Sequence, residues 1–267
     1  MLRRLGLLGF ALALLATPLL AADAVIVRGV DSFTTPADGS TFINFAQNPL
    51  PAGFLCEGSA SFAERIPMKG LPLATDSKKL ASIDTVVERL DDATFDAKGT
   101  ALTRIRLRAL SLQSLAPIAT PCGSFDVYLT LKGTQRETIM RITREDAYGG
   151  SFVAPLAVDS LVTFVPAGST KGEPRSIGMA ITFPNHTRES WAHPPTNELR
   201  ILTPFRIDLD GDGKPETRLS GAGNFLAGAR GTENGLEALP GGGTWYCHYS
   251  GEAHEHCYYL CDGCAIP

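Results

Sequence analysis

Cysteine and histidine side chains are concentrated at the end of the chain. The segment from Trp245 to Cys264 holds four of the six cysteines and three of the five histidines. Thiols and imidazoles either cross-link a short segment as disulfides or bind a soft or borderline metal ion. We therefore interpret this tail as a covalent knot, a metal site, or both.

The spacing within the tail is compatible with both outcomes. The thiols and imidazoles together could bind Zn²⁺, and the histidines alone could bind copper. In an oxidising compartment, neighbouring thiols pair with each other instead. We favour two disulfides, with the histidines as a separate candidate zinc or copper site. The residues concerned are Cys247, Cys257, Cys261, Cys264, His248, His254 and His256.

A second chemical signal is a short acidic loop. Aspartates stand at every second position from Asp208 to Asp212, and Glu216 follows Gly213. Several oxygen donors around a tight turn are what Ca²⁺ requires. The alternative is an acidic turn without metal, because Asp and Gly are ordinary turn residues. We favour calcium, since carboxylates this close repel one another unless a cation or water screens them.

This nine-residue segment, Asp208-Leu-Asp-Gly-Asp-Gly-Lys-Pro-Glu216, resembles the calcium loops of VCBS and FG-GAP repeat proteins, in which an Asp-rich loop joins two strands. The resemblance implies side-chain ligands from Asp208, Asp210 and Asp212, a carbonyl ligand from Lys214 and a closing carboxylate from Glu216. The motif occurs once, so it implies a stiffened calcium loop but not a repeat fold. It is also similar to the first half of an EF-hand loop, but Leu219 occupies the twelfth position, where that loop has Glu.

The first residues predict export. Arg3 and Arg4 precede an apolar run that extends to Leu20, and small residues follow around Ala22. This is the pattern of a secretory signal peptide. A membrane anchor is the weaker alternative, because the run is short for a bilayer span and Pro18 interrupts it. We expect a secreted or periplasmic bacterial protein without a membrane span.

Export determines how the cysteines are interpreted, because exported thiols normally oxidise. Six cysteines allow fifteen pairings, so the sequence alone does not select one. The spacing nevertheless separates Cys56 and Cys122 from the tail, and we expect these two to form a bridge within the body of the protein. Such a bridge stabilises the fold by about 4 kcal/mol on the chain-entropy estimate.

The residue pattern between the ends is that of β-structure. Short apolar runs are separated by turn residues, among them 27 glycines and 18 prolines. Ile105 and Leu107 alternate with arginines, which is typical of a half-buried strand. Phe125–Leu131 and Thr138–Thr143 show the same pattern, and we expect residues 132–135 to join them as a hairpin. Further strands are predicted at residues 24–30, 85–90, 160–165, 177–183, 199–207 and 217–219.

These patterns predict an all-β protein: an antiparallel β-sandwich, either one elaborated body or two stacked units, with a small Cys/His-rich C-terminal knot. The predicted divisions are a signal peptide at 1–22, a first sandwich half or domain at 23–118, a second with the calcium loop at 119–232, and a Gly-rich connector and Cys/His-rich tail at 233–267. The formal net charge is −4, with Lys and Arg dispersed, which argues against nucleic acid and anionic lipid as partners.

The motifs of common enzymes are absent from the sequence. Glu88, Asp91, Asp92 and Asp96 could supply a carboxylate pair for glycoside hydrolysis, but such spacing is more typical of a solvated turn. We therefore expect a non-enzyme, with a secreted hydrolase as the least favoured interpretation.

Two classes remain. The first is an extracellular structural or assembly protein that binds calcium. The second is a binding module for a glycan, a protein or a transition metal, for which the tail aromatics could form a contact face. Residues 24–30 either add to the sheet of a neighbouring subunit, as self-assembly or a cell-surface partner would need, or form an ordinary edge strand. We expect His186 and His193, which lie beside Trp191 in the sequence, to be surface-loop residues.

Overall fold

The structure is a computed structural model that describes residues 25–73, 83–183, 189–193, 206–207, 217–218, 223–232, 235–238, 244–249 and 255–260. All regular elements within these residues are β-strands, which confirms the all-β prediction. The described part of the chain contains no helix that is long and apolar enough to cross a bilayer.

The strands are numbered in chain order. The first seven are β1 (Val25–Ile26), β2 (Gly29–Phe33), β3 (Phe42–Asn44), β4 (Arg65–Gly70), β5 (Thr85–Arg89), β6 (Ala93–Thr94) and β7 (Thr100–Ser114). The next seven are β8 (Ile118–Thr120), β9 (Gly123–Leu131), β10 (Glu137–Arg144), β11 (Gly149–Val153), β12 (Leu156–Ala167), β13 (Arg175–Phe183) and β14 (Glu189–Ala192). The last seven are β15 (Arg206–Ile207), β16 (Thr217–Arg218), β17 (Leu226–Ala227), β18 (Ala229–Thr232), β19 (Gly235–Ala238), β20 (Thr244–Tyr249) and β21 (Glu255–Leu260).

Thirteen of these strands form one antiparallel sheet. Its main path runs β13-β12-β9-β7-β10-β11-β14-β17. On the other edge of β7, β5 and β4 pair with successive stretches of that strand and are followed outward by β2 and β3, respectively. Four further pairs are separate two-stranded sheets: β1-β6, β15-β16, β18-β19 and β20-β21.

Strand β7 organises the large sheet because it is long enough to pair with four others. Ile105 and Leu107 are buried, while Arg104 is exposed, as the alternating pattern predicts. The register against β5 shifts after Val86, where the β7 partner changes from Ala109 to Leu107. A bulge adds one residue to one strand and changes its side-chain phase. Accordingly, odd-numbered residues are buried up to Ala109, and even-numbered residues are buried from Leu110 onward.

The predicted hairpin between residues 125–131 and 138–143 is wrong, although both segments are strands. β9 pairs with β7 at residues 111–113, whereas β10 pairs with β7 at residues 100–106. Both are antiparallel to β7, so they run in the same direction. Gln135 holds the connection in place because its amide donates to the Asp159 carbonyl at 2.9 Å and accepts the Asp159 N–H at 2.9 Å. The polar turn residues predict that a strand ends here, but they do not predict which strand the next one pairs with.

The apolar N-terminal run pairs within its own chain. β1 pairs with β6, and β2 pairs with β5. The Asn224 side chain fixes this end, because it accepts the Val27 N–H at 3.0 Å and donates to the Val25 carbonyl at 2.8 Å. Both strands of the N-terminal run are therefore paired within the fold, and the run is not a free segment for addition to another subunit.

Among the described residues, the buried apolar side chains form a single cluster, to which strands on both edges of β7 contribute. Trp191 is fully buried and stacks against Phe225 at 5.2 Å and Phe95 at 6.1 Å between ring centroids. Its indole N–H donates to the Thr143 carbonyl at 3.1 Å. His193, which the sequence places in a surface loop, directly follows β14 and is half-buried, with its ring edge-on to Trp191 at 4.7 Å between centroids. His186 lies outside the described residues. The predicted division at residues 118 and 119 stays a prediction.

Candidate functional site

The two predicted metal sites lie mostly outside the described residues. Asp208, Asp210, Asp212, Lys214 and Glu216 all fall in 208–216, which the structure does not describe. The strands on either side are described: β15 and β16 pair antiparallel, with Ile207 opposite Thr217. Two paired strands thus flank the acidic segment in the sequence. Among the described residues, no group of three or more His, Cys, Asp or Glu is positioned to hold a metal ion.

The tail is described through the hairpin of β20 and β21. His254, Cys261 and Cys264 lie outside the described residues. The hairpin register places Cys247 opposite Cys257 and His248 opposite His256. Directly opposed residues of an antiparallel pair have Cα atoms about 4.5–5.5 Å apart, within the range that disulfides span. The backbone thus brings the two thiol positions to the same point of the ladder and the two imidazole positions to the next.

Cys56 and Cys122 form the disulfide that their spacing suggested, with a Cα–Cα distance of 5.8 Å. Cys56 lies in the loop after β3, and Cys122 lies in the turn between β8 and β9. The guanidinium of Arg175, at the start of β13, donates to the Phe54 carbonyl of the same loop at 2.7 Å. The loop is therefore attached to the sheet by one covalent bond and by a hydrogen bond to a charged donor.

The four carboxylates considered for hydrolysis each have a structural contact. Glu88 accepts from Arg108 at 2.8 Å, and Asp92 accepts the Arg28 N–H at 2.7 Å. Asp96 accepts the backbone N–H groups of Lys98 and Thr100, which holds the pKa of its carboxyl below the ordinary value. Glu88 belongs to β5, while Asp92 and Asp96 lie in the connections around β6.

Asp91 is the fourth of these carboxylates. It receives two hydrogen bonds from Arg104, at 2.7 and 2.8 Å, and these lower its pKa. Arg104 also donates to Glu137 at 2.9 Å, and Glu137 in turn pairs with Arg106. This exposed network connects the loop between β5 and β6 to β7 and β10. Exposed pairs of this kind contribute about 0–1 kcal/mol each, so their main effect is to fix side-chain positions.

A buried ion pair connects β2 and β5. Arg89 and Asp31 are 1% and 3% exposed, and the Arg89 Nε donates to Asp31 Oδ2 at 2.8 Å. Arg89 also donates to the Val27 carbonyl, and its guanidinium lies 4.8 Å from the centroid of the Phe225 ring. Burial raises the pKa of the Asp31 carboxyl, while the charge and hydrogen bond of Arg89 oppose that rise.

Asp84 is a second buried carboxyl, 0% exposed at the start of β5. It accepts the Thr35 N–H at 2.6 Å and the Thr35 and Thr85 hydroxyls at 2.9 and 2.6 Å. Burial raises its pKa above the ordinary value, and these hydrogen bonds oppose the rise. Gly70 makes room for the carboxyl, because a Cβ there would lie 1.9 Å from Asp84 Oδ2.

Neither of these two buried acids belongs to a motif that the sequence displays. The available signal was a charged residue inside an apolar run: Asp31 follows Val30, and Asp84 stands between Ile83 and a Thr-Val-Val segment. A carboxylate within such a run needs a partner, because burying a charge without one is costly. The distant partners, Arg89 for Asp31 and Thr35 for Asp84, depend on strand pairing, whereas Thr85 is the next residue after Asp84.

The solvent-facing side of β7, β10 and β11 forms an open groove with a volume of about 640 Å³. Leu102 and Ile139 line it and are 56% and 51% exposed, and Val153 and Pro155 continue the apolar lining. Arg141, opposite Leu102 in the register, adds a guanidinium.

Comparison of the chain with protein-family models, with curated proteins and with solved structures finds no match. The interpretation of function therefore depends on the residues and geometry described above.

Proposed function

We propose that this protein is an exported, disulfide-stabilised, calcium-binding β-protein with a structural or assembly role outside the cytoplasm. The observation that carries the proposal is the bridge between Cys56 and Cys122, which joins segments 66 residues apart. Bridges that close long loops persist in oxidising compartments and are rare in the cytosol. The predicted signal peptide supports the same compartment.

The proposed architecture is a β-sandwich whose two sheets share β7. One sheet would contain the strands that pair with the first part of β7, and the other those that pair with its last residues. A single buried cluster drawing residues from both sets of strands is what two packed sheets produce.

The proposed calcium ion would stiffen the loop between β15 and β16. The antiparallel pairing of these strands supports the loop topology that the resemblance implies. Extracellular calcium modules bind with a Kd of about 10⁻⁴ to 10⁻³ M. At ten times such a Kd, calcium stabilises the folded state by about 1.4 kcal/mol.

Thermal unfolding at increasing calcium concentration tests this site. We expect Tm to rise with Ca²⁺ in the wild type and in the control variant Asp126→Asn, whose carboxyl lies on β9 and outside the loop. The Asp210→Asn variant should lose most of the rise because it removes one charged ligand. An equal response of Asp210→Asn and wild type would refute the calcium loop.

Transition-metal binding by the tail is the second candidate, favoured by the register that pairs His248 with His256. Calorimetric titration of the oxidised protein with Zn²⁺ or Cu²⁺ tests it. We expect binding that is lost in a His248→Ala/His256→Ala variant and retained in a His193→Ala variant. Retention of binding in the double variant, or no binding by the wild type, would exclude this site.

A further inference from the structure

The edge of the sheet formed by β13 is open. Among the described residues, β13 pairs with β12 over nine consecutive positions and with no strand on its other side. The register contains no shift, so the edge is regular along its length. The outward N–H and C=O groups of such an edge are a template for another strand.

The core is incompletely covered at this edge. On β12, Val158, Ser160 and Val162 are 0% exposed. Their register partners on β13 are Ile181, Met179 and Ile177, respectively. These three pack against the core but stay half-exposed. One more strand beside β13 would cover apolar side chains that its own chain leaves partly in water.

The edge also lacks the features that natural proteins use to prevent strand addition. Residues 176–183 contain no charged residue and no proline. The opposite face of β13 carries only small exposed residues, namely Ser176, Gly178, Ala180 and Thr182. The ammonium of Lys132 lies over Gly178, where a Cβ would be 2.5 Å from it. That contact is on the face of the sheet, so the hydrogen-bonding edge is still open.

We propose that β13 pairs with β13 of a second copy of this chain, antiparallel about a two-fold axis at Ala180. The proposal rests on the assembly role proposed above and supplies a surface for it. The strand sequence is self-complementary in this register. Ile177 would lie opposite Phe183, Met179 opposite Ile181, Gly178 opposite Thr182, and Ala180 opposite itself. Large apolar residues thus meet on the core face and small residues on the other face, as an isologous interface requires.

The expected association is weak. A single strand pair buries less surface than a standard interface of about 1,600 Å². We therefore expect a monomer–dimer equilibrium that depends on protein concentration, and not an obligate dimer.

Sedimentation velocity of the mature, oxidised protein over a range of concentrations tests the interface. We expect the wild type to dimerise and Ala180→Lys to dimerise at least tenfold more weakly, because two lysines would meet on the axis. Ala180→Glu should be weakened in the same way. An equimolar mixture of the two variants should recover dimerisation, since the heterodimer pairs opposite charges. The control Thr130→Lys adds the same charge to an exposed position of β9, an internal strand, and should dimerise like the wild type.

Amide hydrogen exchange locates the contact. We expect residues 176–183 to become protected as the concentration increases. A wild type that stays monomeric, variants that dimerise like the wild type, or dimerisation without protection of β13 would each overturn the proposal. A monomer with oxidised cysteines would overturn this interface alone, because the export and calcium tests do not depend on association.

Discussion

Removing the Cys56–Cys122 bridge should destabilise the protein mainly through the unfolded chain. Both cysteines are half-buried, so little packing is lost when the thiols are removed. The bridge spans 66 residues, and the chain-entropy estimate for a loop of that length is about 4 kcal/mol at 25 °C. With a urea slope of about 2–3 kcal/mol per M, the unfolding midpoint should decrease by roughly 1.3–2 M.

The assay is urea unfolding of three variants: Cys56→Ser, Cys122→Ser and the double variant. Because each removes the same cross-link, all three should lose the same free energy of unfolding. The slope should increase, since the unfolded chain becomes more expanded without the bridge. Losses that add in the double variant would show that packing of the side chains, and not the cross-link, stabilises the fold. A loss below about 1 kcal/mol would also refute the chain-entropy reasoning.

Three further results are expected from the buried polar groups. Arg89→Met should destabilise the fold by about 3–5 kcal/mol in urea unfolding, because it leaves the Asp31 charge buried and unpaired. The double variant Asp31→Leu/Arg89→Met should recover most of that loss. Equal losses in the single and double variants would argue against an unpaired buried charge as the cause. Because burial raises the folded-state pKa of Asp84, the contribution of this group is fully present below the unfolded pKa of about 3.9 and decreases as the pH rises through the folded pKa. The free energy of unfolding measured between about pH 4 and 7 should therefore fall in the wild type relative to Asp84→Asn. The same pH dependence in both proteins would contradict a raised pKa of Asp84. Gly70→Ala should lower Tm by several degrees, because its Cβ would collide with the Asp84 carboxyl; an unchanged Tm would mean that the backbone relaxes there.

The strands were predictable where alternation was strong. Ile105 and Leu107 against their neighbouring arginines identified β7, and the runs at 125–131 and 138–143 identified β9 and β10. Alternation reports which residues face the core, but it carries no information about which strands are neighbours. The sequence therefore did not predict that β9 and β10 pair with successive parts of the same long strand.

The bridge between Cys56 and Cys122 was predictable because no other cysteines lie near either residue in the sequence. The buried pair of Asp31 and Arg89 was not, because the two residues are 58 positions apart and meet only through the pairing of β2 with β5. The burial of Trp191 was not predictable for a similar reason. Its buried position depends on Phe95 and Phe225, which are distant in sequence.

The oxidation state of the cysteines in natively exported protein tests the central claim most directly. Exported protein is treated with an alkylating reagent before and after reduction, and its intact mass is measured. We predict no alkylated cysteine before reduction and six after it. Six alkylated cysteines in the native protein would contradict the proposal and would favour a reduced zinc site in the tail.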